Sequence, residues 1–478
     1  MIGSPADFLA VLSRFNPWWL GAALPAVPLW RRAAFASILA WARAPEPHRA
    51  LLLSGARQVG KTTLILQLVR ALLDRDVPPS NILYVTFDHP LLKLVGPDEL
   101  LRIWREFTPA APGPEYLLFD EIQATTGWQV WLKHQVDFEK RRRIVVTGSA
   151  TPLTRENVES GVGRWQTLRI ATLSFYEFLQ IREADVPALP VVNSLQQLSR
   201  WTPTDFVRVS ATAAGLTSLF HEYLLRGGFP QSARIATVEE AQKLLREDIV
   251  DKVLKRDMTA LFGVRRVVEL EQVFLYLCLH DGGILNLPEL CKNLELKRPT
   301  VENFIDLLES AHLIYQLKPL GYGKEVLRGR RKVYLADPAL APSVLLRGRS
   351  LLQDDTLLGY AVETAVFRHL FGRYYQQAIG FSYWRNRSGQ EVDVVAEIRG
   401  QRVPFEVKYR APANIDLAGL KAFIRERSPE RAYVLTREIA DFGIVPDAAS
   451  TIPIVRLPAA LACYWLGAAE ISENDEPP

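Results

Sequence analysis

The stretch ALLLSGARQVGKTTLILQLVRALL, residues 50–73, leaves a chain little choice of fold. Ala50–Leu53 is an uninterrupted apolar run, as expected of a strand covered on both faces in a parallel sheet flanked by helices. The next eight residues, Gly55-Ala56-Arg57-Gln58-Val59-Gly60-Lys61-Thr62, spell G-x-x-x-x-G-K-T. Beyond them Leu64, Leu68 and Leu72 recur at helical spacing. Two glycines let successive backbone N–H groups turn toward phosphate oxygens, and the helix N-terminus adds positive potential. Lys61 is then placed for the β- and γ-phosphates and the Thr62 hydroxyl for Mg²⁺, with Gly55 through Thr63 as the cradle. ATP with Mg²⁺ is the expected ligand. A chance glycine turn before a helix is the competing reading, and the intact order of strand, loop and helix weighs against it.

Two further runs fit the same sheet. NILYVTFD (81–88) reads as a second strand, and YLLFDEI as a third that ends on Asp120-Glu121. An acid at the end of a buried strand is costly unless it serves a cation. Asp120 is expected to hold Mg²⁺ through water, and Glu121 to orient and deprotonate the attacking water. A fourth strand, RIVVTGSA, ends at Thr147–Ser149, where the Ser149 hydroxyl could sense the γ-phosphate. Soon after, ESGVGRWQTLRI supplies Arg164, either an arginine finger or an ordinary surface charge.

The run LLSGARQVGKTT, then LLFDEIQ with Trp128, IVVTGSA with GR, LSFYEFL, and YLLRGGFP (Tyr223–Pro230) closely resembles a bacterial and archaeal group of AAA+ ATPases. Members of that group carry a C-terminal PD-(D/E)xK restriction-endonuclease-like domain. The resemblance implies a strand inserted between the two nucleotide motifs that places the catalytic glutamate, as NILYVTFD would do. It also implies a homo-oligomer, commonly a hexameric ring, in which the arginine finger acts on the neighbour's ATP.

The first 45 residues, with NPWW and Arg31-Arg32, read as helices beside the nucleotide site. From about Ile181 to Thr217 prolines and polar runs suggest an insertion or linker. VEEAQKLLREDIVDKVLKRDM then reads as a pair of lid helices. Three helices follow (about Val267–Leu279, Leu287–Leu294 and Pro299–Ala311), with strands near Ile314–Pro319 and Lys332–Leu335, the outline of a winged helix-turn-helix. The third helix turns Glu302, Asn303, Asp306 and Glu309 outward, which phosphates would repel. The wing instead carries Lys324, Arg328, Arg330, Arg331 and Lys332, suited to a DNA backbone. A winged helix that serves only as a packing adaptor is the alternative.

From about Leu351 the pattern reads helix, three strands, helix, strand. This αβββαβ order is similar to the core of the PD-(D/E)xK fold. Asp393 lies on the second strand and Glu406-Val407-Lys408 on the third, with Glu363 on the preceding helix. Residues two apart on a strand share a face, so Glu406 and Lys408 point the same way and Asp393 can meet them across the ladder. Asp393, Glu406 and Glu363 are a candidate hard-oxygen site for Mg²⁺ or Mn²⁺, with Lys408 positioning the attacking water. Arg385, Arg387 and Arg410 are placed for a nucleic-acid backbone. The bland alternative is a solvated strand face of alternating charges.

Composition sets the bounds. With 48% hydrophobic and 23% charged residues, 478 residues can build several cores, and a net charge of +4 is too mild to argue for nucleic acid by itself. The three cysteines have no zinc or disulfide spacing, and neither a leader nor a bilayer-length apolar run is evident. The reading is therefore cytoplasmic, with no membrane. The expected architecture is α/β: a helical segment (1–45), an AAA+ nucleotide-binding domain (46–180), linker and lid (181–262), winged helix-turn-helix (263–345) and a restriction-endonuclease-like domain (346–478). The expected function is an ATP-hydrolysing oligomer acting on branched or double-stranded DNA, its C-terminal domain binding DNA or cutting it as a metal-dependent nuclease. The alternative is a slow, nucleotide-gated regulatory or defence switch whose C-terminal domain is a docking module or a licensed nuclease.

Overall fold

The computed structural model describes residues 4–44, 49–148, 163–321, 323, 326, 329–377, 379–398, 400–410, 416–445 and 452–475. They divide into two compact units, one ending at Ile170 and the other beginning at Ala171.

The first unit is built on five strands: β1 (Ala50–Ser54), β2 (Ile82–Thr86), β3 (Glu115–Asp120), β4 (Arg142–Gly148) and β5 (Trp165–Arg169). Their order is β2-β3-β4-β1-β5, and every pairing is parallel. β1 and β3 are buried along their whole length, which is why they read as apolar runs without alternation. The C-terminal ends of β3, β4 and β1 lie side by side, so the loops that leave them share one edge of the sheet. In open α/β sheets that edge is where ligands bind.

The NPWW segment has a structural task. Asn16 is fully buried, and its side chain copies a strand: Nδ2 donates to the Tyr84 carbonyl at 2.8 Å while Oδ1 accepts from the Tyr84 N–H at 2.7 Å. The indoles of Trp18 and Trp19 both donate to the Ile82 carbonyl. The exposed edge of β2 is thereby paired and covered, which removes a template for strand addition.

The second unit carries an eight-stranded sheet. Its strands are β6 (Ile314–Pro319), β7 (Lys332–Leu335), β8 (Gly380–Arg385), β9 (Glu391–Ile398), β10 (Gln401–Lys408), β11 (Ala432–Thr436), β12 (Gly443–Val445) and β13 (Ile454–Pro458), ordered β12-β13-β11-β10-β9-β8-β6-β7. The helices Val267–Leu279, Leu287–Asn293 and Arg298–Ser310 precede the β6–β7 hairpin. The helix Asp355–Tyr374 precedes β8, and the helix Ala418–Arg427 joins β10 to β11.

Three features depart from the sequence reading. First, β6 pairs with β8 in parallel (Lys318 opposite Ser382, Pro319 opposite Tyr383), so the expected wing and the C-terminal strands form one sheet. Second, the lid pair is one continuous helical run from Val238 through a π-helical stretch (Leu245–Asp257) to Phe262. No glycine or proline interrupts that run, and Gly263, at φ 65°, ends it. Third, the supposed linker is packed. A helix, Pro203–Thr212, starts from a Thr202/Asp205 capping box, and Trp201 and Phe206 stack edge-on against Phe442. No helix among the described residues is long and apolar enough to cross a membrane.

Asp281, 2% exposed, accepts from the Leu335 N–H at 2.9 Å and the Thr364 hydroxyl at 2.8 Å, joining the hairpin to the helix Asp355–Tyr374. Burial pushes its carboxyl up to about 7. An unfolded aspartate titrates near ~3.9, so between about pH 4 and 7 the folded chain holds the extra proton. Stability from this group therefore falls as pH rises through that window, by at most ~1.4 kcal/mol per pH unit, and levels off above it. Asp281→Asn should remove that slope, as seen by comparing urea denaturation of the two proteins from pH 4 to 8. Parallel curves would mean that Asp281 is already ionised in the fold.

Candidate functional site

At the shared edge of the first sheet, β1 ends at Ser54 and the chain turns through Gly55–Gly60 into the helix Lys61–Leu73. Two glycines have separate reasons to be there. A Cβ on Gly55 would lie 2.3 Å from the Ile170 carbonyl oxygen, and Gly60 sits at φ 95°, in the left-handed region. Gln58 also has positive φ. Behind the loop, Arg32 donates to the Val59 carbonyl at 2.8 Å, which gives one of the two N-terminal arginines a supporting role.

Lys61 is 4% exposed and donates to the Gly55 and Ala56 carbonyls, both at 2.9 Å, so the loop curls around its own ammonium. Ala56 and Val59 are buried, and Arg57, Gln58, Gly60 and Thr63 are half-buried. The Thr62 hydroxyl donates to Asp120 Oδ2 at 2.7 Å, which brings the two expected Mg²⁺ ligands together from β3 and the helix start. Asp120 also accepts from the Tyr84 hydroxyl at 3.2 Å and from the Thr147 hydroxyl. Thr147 in turn accepts from the Glu121 N–H at 2.9 Å. Burial, with Asp120 adding to it and Lys61 opposing it, raises the Glu121 carboxyl above its ordinary value. A hydroxyl, a carboxylate and a lysine at the mouth of a glycine loop are the donor set that a Mg²⁺–triphosphate needs. Gln58 Oε1 is buried there without a partner among the described residues.

Sequence reasoning missed Tyr84, whose contact with Asp120 follows only from the pairing of β2 with β3. Ser149 lies outside the described residues. Arg164 pairs with Asp137 at 3.2 Å within its own chain.

The second cluster lies in the eight-stranded sheet. Asp393, Glu406 and Lys408 do approach one another: Asp393 Oδ2 accepts from the Val407 N–H at 2.9 Å, and Lys408 Nζ lies 2.6 Å from Glu406 Oε1. Burial pushes the Glu406 carboxyl up, and the neighbouring Asp393 charge adds to the effect. Glu363 is lifted to about 7 by burial and by Asp393. The cation among these acids is Lys332, which was expected on the wing surface. It is 1% exposed, and its Nζ lies 2.8 Å from Glu363 Oε1, 3.0 Å from Glu391 Oε1 and 2.9 Å from Asp393 Oδ1. As a DNA contact Lys332 is therefore corrected. It starts β7 with its side chain facing β9 and the helix Asp355–Tyr374, where the acids hold it charged against the cost of burial.

The metal expectation meets the same obstacle. Among the described residues no group of three or more His, Cys, Asp or Glu side chains is arranged to hold a metal ion. Two cluster members went unforeseen. Glu391 was legible, because it lies two residues before Asp393 on the same strand and so shares its face. Tyr334, which donates to Glu363 Oε1 at 2.6 Å, was not. Of the remaining wing residues, Arg330 and Arg331 are exposed, Arg331 pairs with Asp306, and Lys324 and Arg328 lie outside the described residues. Arg385, Arg387 and Arg410 are exposed.

Comparison with known proteins bears on both regions. The family model for an AAA domain matches residues 47–179. Two domains of unknown function, DUF8612 and DUF4143, match residues 217–350 and 358–457. An uncharacterized protein of Haemophilus influenzae is 25% identical over 371 residues, covering 76% of this chain and 83% of its own length. An uncharacterized protein of Mycobacterium tuberculosis is 26% identical over 386 residues, covering 79% and 74% respectively. Among solved structures, the Aeropyrum pernix ORC1 protein in complex with DNA aligns with 71% of this chain and 97% of that one at 16% identity, but the TM-score of 0.29 is too low to carry an argument. The glycine loop and the acidic end of β3 both lie within the segment that the AAA domain model matches, and together they mark a P-loop fold of the AAA+ type in the first unit.

Proposed function

We propose that this chain hydrolyses ATP with Mg²⁺ and couples turnover to DNA as an AAA+ oligomer. The observation that carries the ATPase reading is the convergence of Lys61, Thr62, Asp120, Glu121 and Thr147 at one sheet edge. When bound, Mg²⁺ would be held by Thr62 and by Asp120 through water, and would supply charge neutralisation on the phosphates. Lys61 would leave the Gly55 and Ala56 carbonyls for the phosphates. Glu121, oriented by the bond from its own N–H to Thr147, would take the proton from the attacking water. Its raised affinity for protons suits a general base. In a ring, a hexamer in this reading, Arg164 would exchange Asp137 for the neighbour's nucleotide.

The DNA part of the reading rests on exposed cations. The segment from Val267 to Leu335 acts as a winged helix-turn-helix that grips the backbone through Arg330 and Arg331, with Lys324 and Arg328 as further candidates. The C-terminal PD-(D/E)xK-like domain offers Arg385, Arg387 and Arg410. A cytoplasmic setting suits the free Cys278, Cys291 and Cys463.

The test is ATP hydrolysis by the full chain with and without linear, circular and branched DNA. Stimulation of several-fold, with binding that weakens steeply in salt, is the expected result. If DNA neither binds nor alters turnover, a second reading takes over: a nucleotide-gated switch with the C-terminal domain as a docking module. Its specific support is the engagement of the carboxylate cluster by Lys332.

A further inference from the structure

The carboxylate cluster of the second unit poses a question that the ATPase reading does not touch: what neutralises it. A hard divalent cation takes six or more oxygens and needs several carboxylates turned toward it. Here an ammonium has three N–H groups, and three carboxylate oxygens lie within 3.0 Å of it. Some of the cluster's oxygens have further partners. Glu363 Oε1 also accepts from Tyr334, Asp393 Oδ2 from the Val407 N–H, and Glu406 Oε1 pairs with Lys408. Glu391 Oε2 faces Arg385 at 3.8 Å. Four acids thus face three cations, and Glu406 Oε2 is the buried cluster oxygen left without a partner among the described residues. One orphan oxygen is a place for a water molecule, and a dication there would sit beside an ammonium that cannot leave without exposing β7.

We propose that Lys332 takes the place of a divalent cation in this cluster, so that Glu363, Glu391 and Asp393 form a buried ion-pair joint and not a catalytic metal centre. The joint ties three segments together: β7, β9 and the helix Asp355–Tyr374. It also crosses the boundary between two matched families. Lys332 belongs to residues 217–350, whereas the acids belong to residues 358–457. The acids converge on one point, and the neighbouring segment supplies the cation there. The consequence is that this cluster does not cut phosphodiesters.

The experiment is Mn²⁺ binding to the full-length, nucleotide-free chain, followed by the electron paramagnetic resonance of free Mn²⁺. Asp393→Asn serves as the control that subtracts any metal held near the P-loop. The native chain and D393N should bind alike. Lys332→Met, neutral and of similar length, should gain one site at least ~100-fold tighter, and the double variant with D393N should lose it. A stoichiometric Mn²⁺ on the native chain that vanishes in D393N overturns the proposal, and this result stands even if Lys332→Met fails to fold. So does a folded Lys332→Met protein that gains no site, because the acids would then be no metal cage for Lys332 to fill. Mg²⁺-dependent DNA cleavage by the native chain, abolished by Lys408→Ala, would overturn it as well.

Discussion

Lys61→Ala is expected to lower ATP turnover at least ~100-fold, the scale on which removal of one preorganised donor to a developing charge is felt. The side chain has two sets of partners. Without nucleotide it donates to the Gly55 and Ala56 carbonyls, so truncation leaves those two acceptors to water at a cost of ~1–3 kcal/mol. With nucleotide its buried ammonium would turn to the phosphates and neutralise their charge. The fold should therefore survive while binding and hydrolysis fall together. Glu121→Gln separates the two, because it keeps the shape of the site and removes only the proton acceptor. Two measurements on each variant distinguish the roles: phosphate release under saturating ATP, and the rise in melting temperature on adding ATP with Mg²⁺, which reports binding by mass action. Lys61→Ala should lose both signals, whereas Glu121→Gln should keep the thermal shift and lose turnover. Unchanged phosphate release in Lys61→Ala would end the ATPase assignment.

What could be read from the sequence was local. The P-loop, the acidic end of β3 and the three helices before the β6–β7 hairpin each declare themselves within a window of about a dozen residues, through apolar periodicity and glycine placement. The αβββαβ order of the second unit was legible for the same reason, and so was the shared face of Glu406 and Lys408. What escaped was set by pairings between distant segments. Asn16 reads as an ordinary turn residue until β2 is known to be a sheet edge. Lys332 reads as one more basic residue of a wing until β6 is found beside β8, which carries β7 into the C-terminal sheet. Its flanking residues Val333, Tyr334 and Leu335 are all buried, and a strand covered on both faces leaves its cation nowhere to go except among acids. The proline-rich stretch before Thr217 shows the same limit. Its prolines were read as marking an insertion or linker, whereas Pro203 begins a helix, and the aromatic partners that pack the stretch, Phe442 and Trp465, lie more than two hundred positions away.

The largest effect on stability is expected at a residue that no motif marked. Arg368 is fully buried on the helix Asp355–Tyr374, and both its Nε and its Nη2 donate to the Thr172 carbonyl, the former at 2.9 Å. Its Nη1 reaches Glu470 at 3.3 Å, and Glu177 lies 3.8 Å from the guanidinium. Glu177 is itself the capping partner of Ser174, in the LSFYEFL segment that the AAA match includes although it packs within the second unit. Next to it, His369 Nε2 accepts from the Phe175 N–H at 2.7 Å, which fixes the ring as neutral and leaves Arg368 as the positive charge at this junction. Removing one partner of a buried ion pair strands the other, at a typical cost of ~3–5 kcal/mol. Arg368→Met should therefore lower the urea midpoint of the full chain by that equivalent, because Glu177 and Glu470 both lose the guanidinium. Arg368→Lys should recover only part of the loss, because a single ammonium cannot fork the Thr172 carbonyl and reach Glu470 as well. The double variant Arg368→Met with Glu470→Gln should be less destabilised than the sum of its parts, as expected of groups in one network. If Arg368→Met unfolds within ~1 kcal/mol of the native chain, the guanidinium is not holding the LSFYEFL segment to that helix, and the segment owes its place to the His369 hydrogen bond and to the aromatic contacts of Phe175 and Phe178.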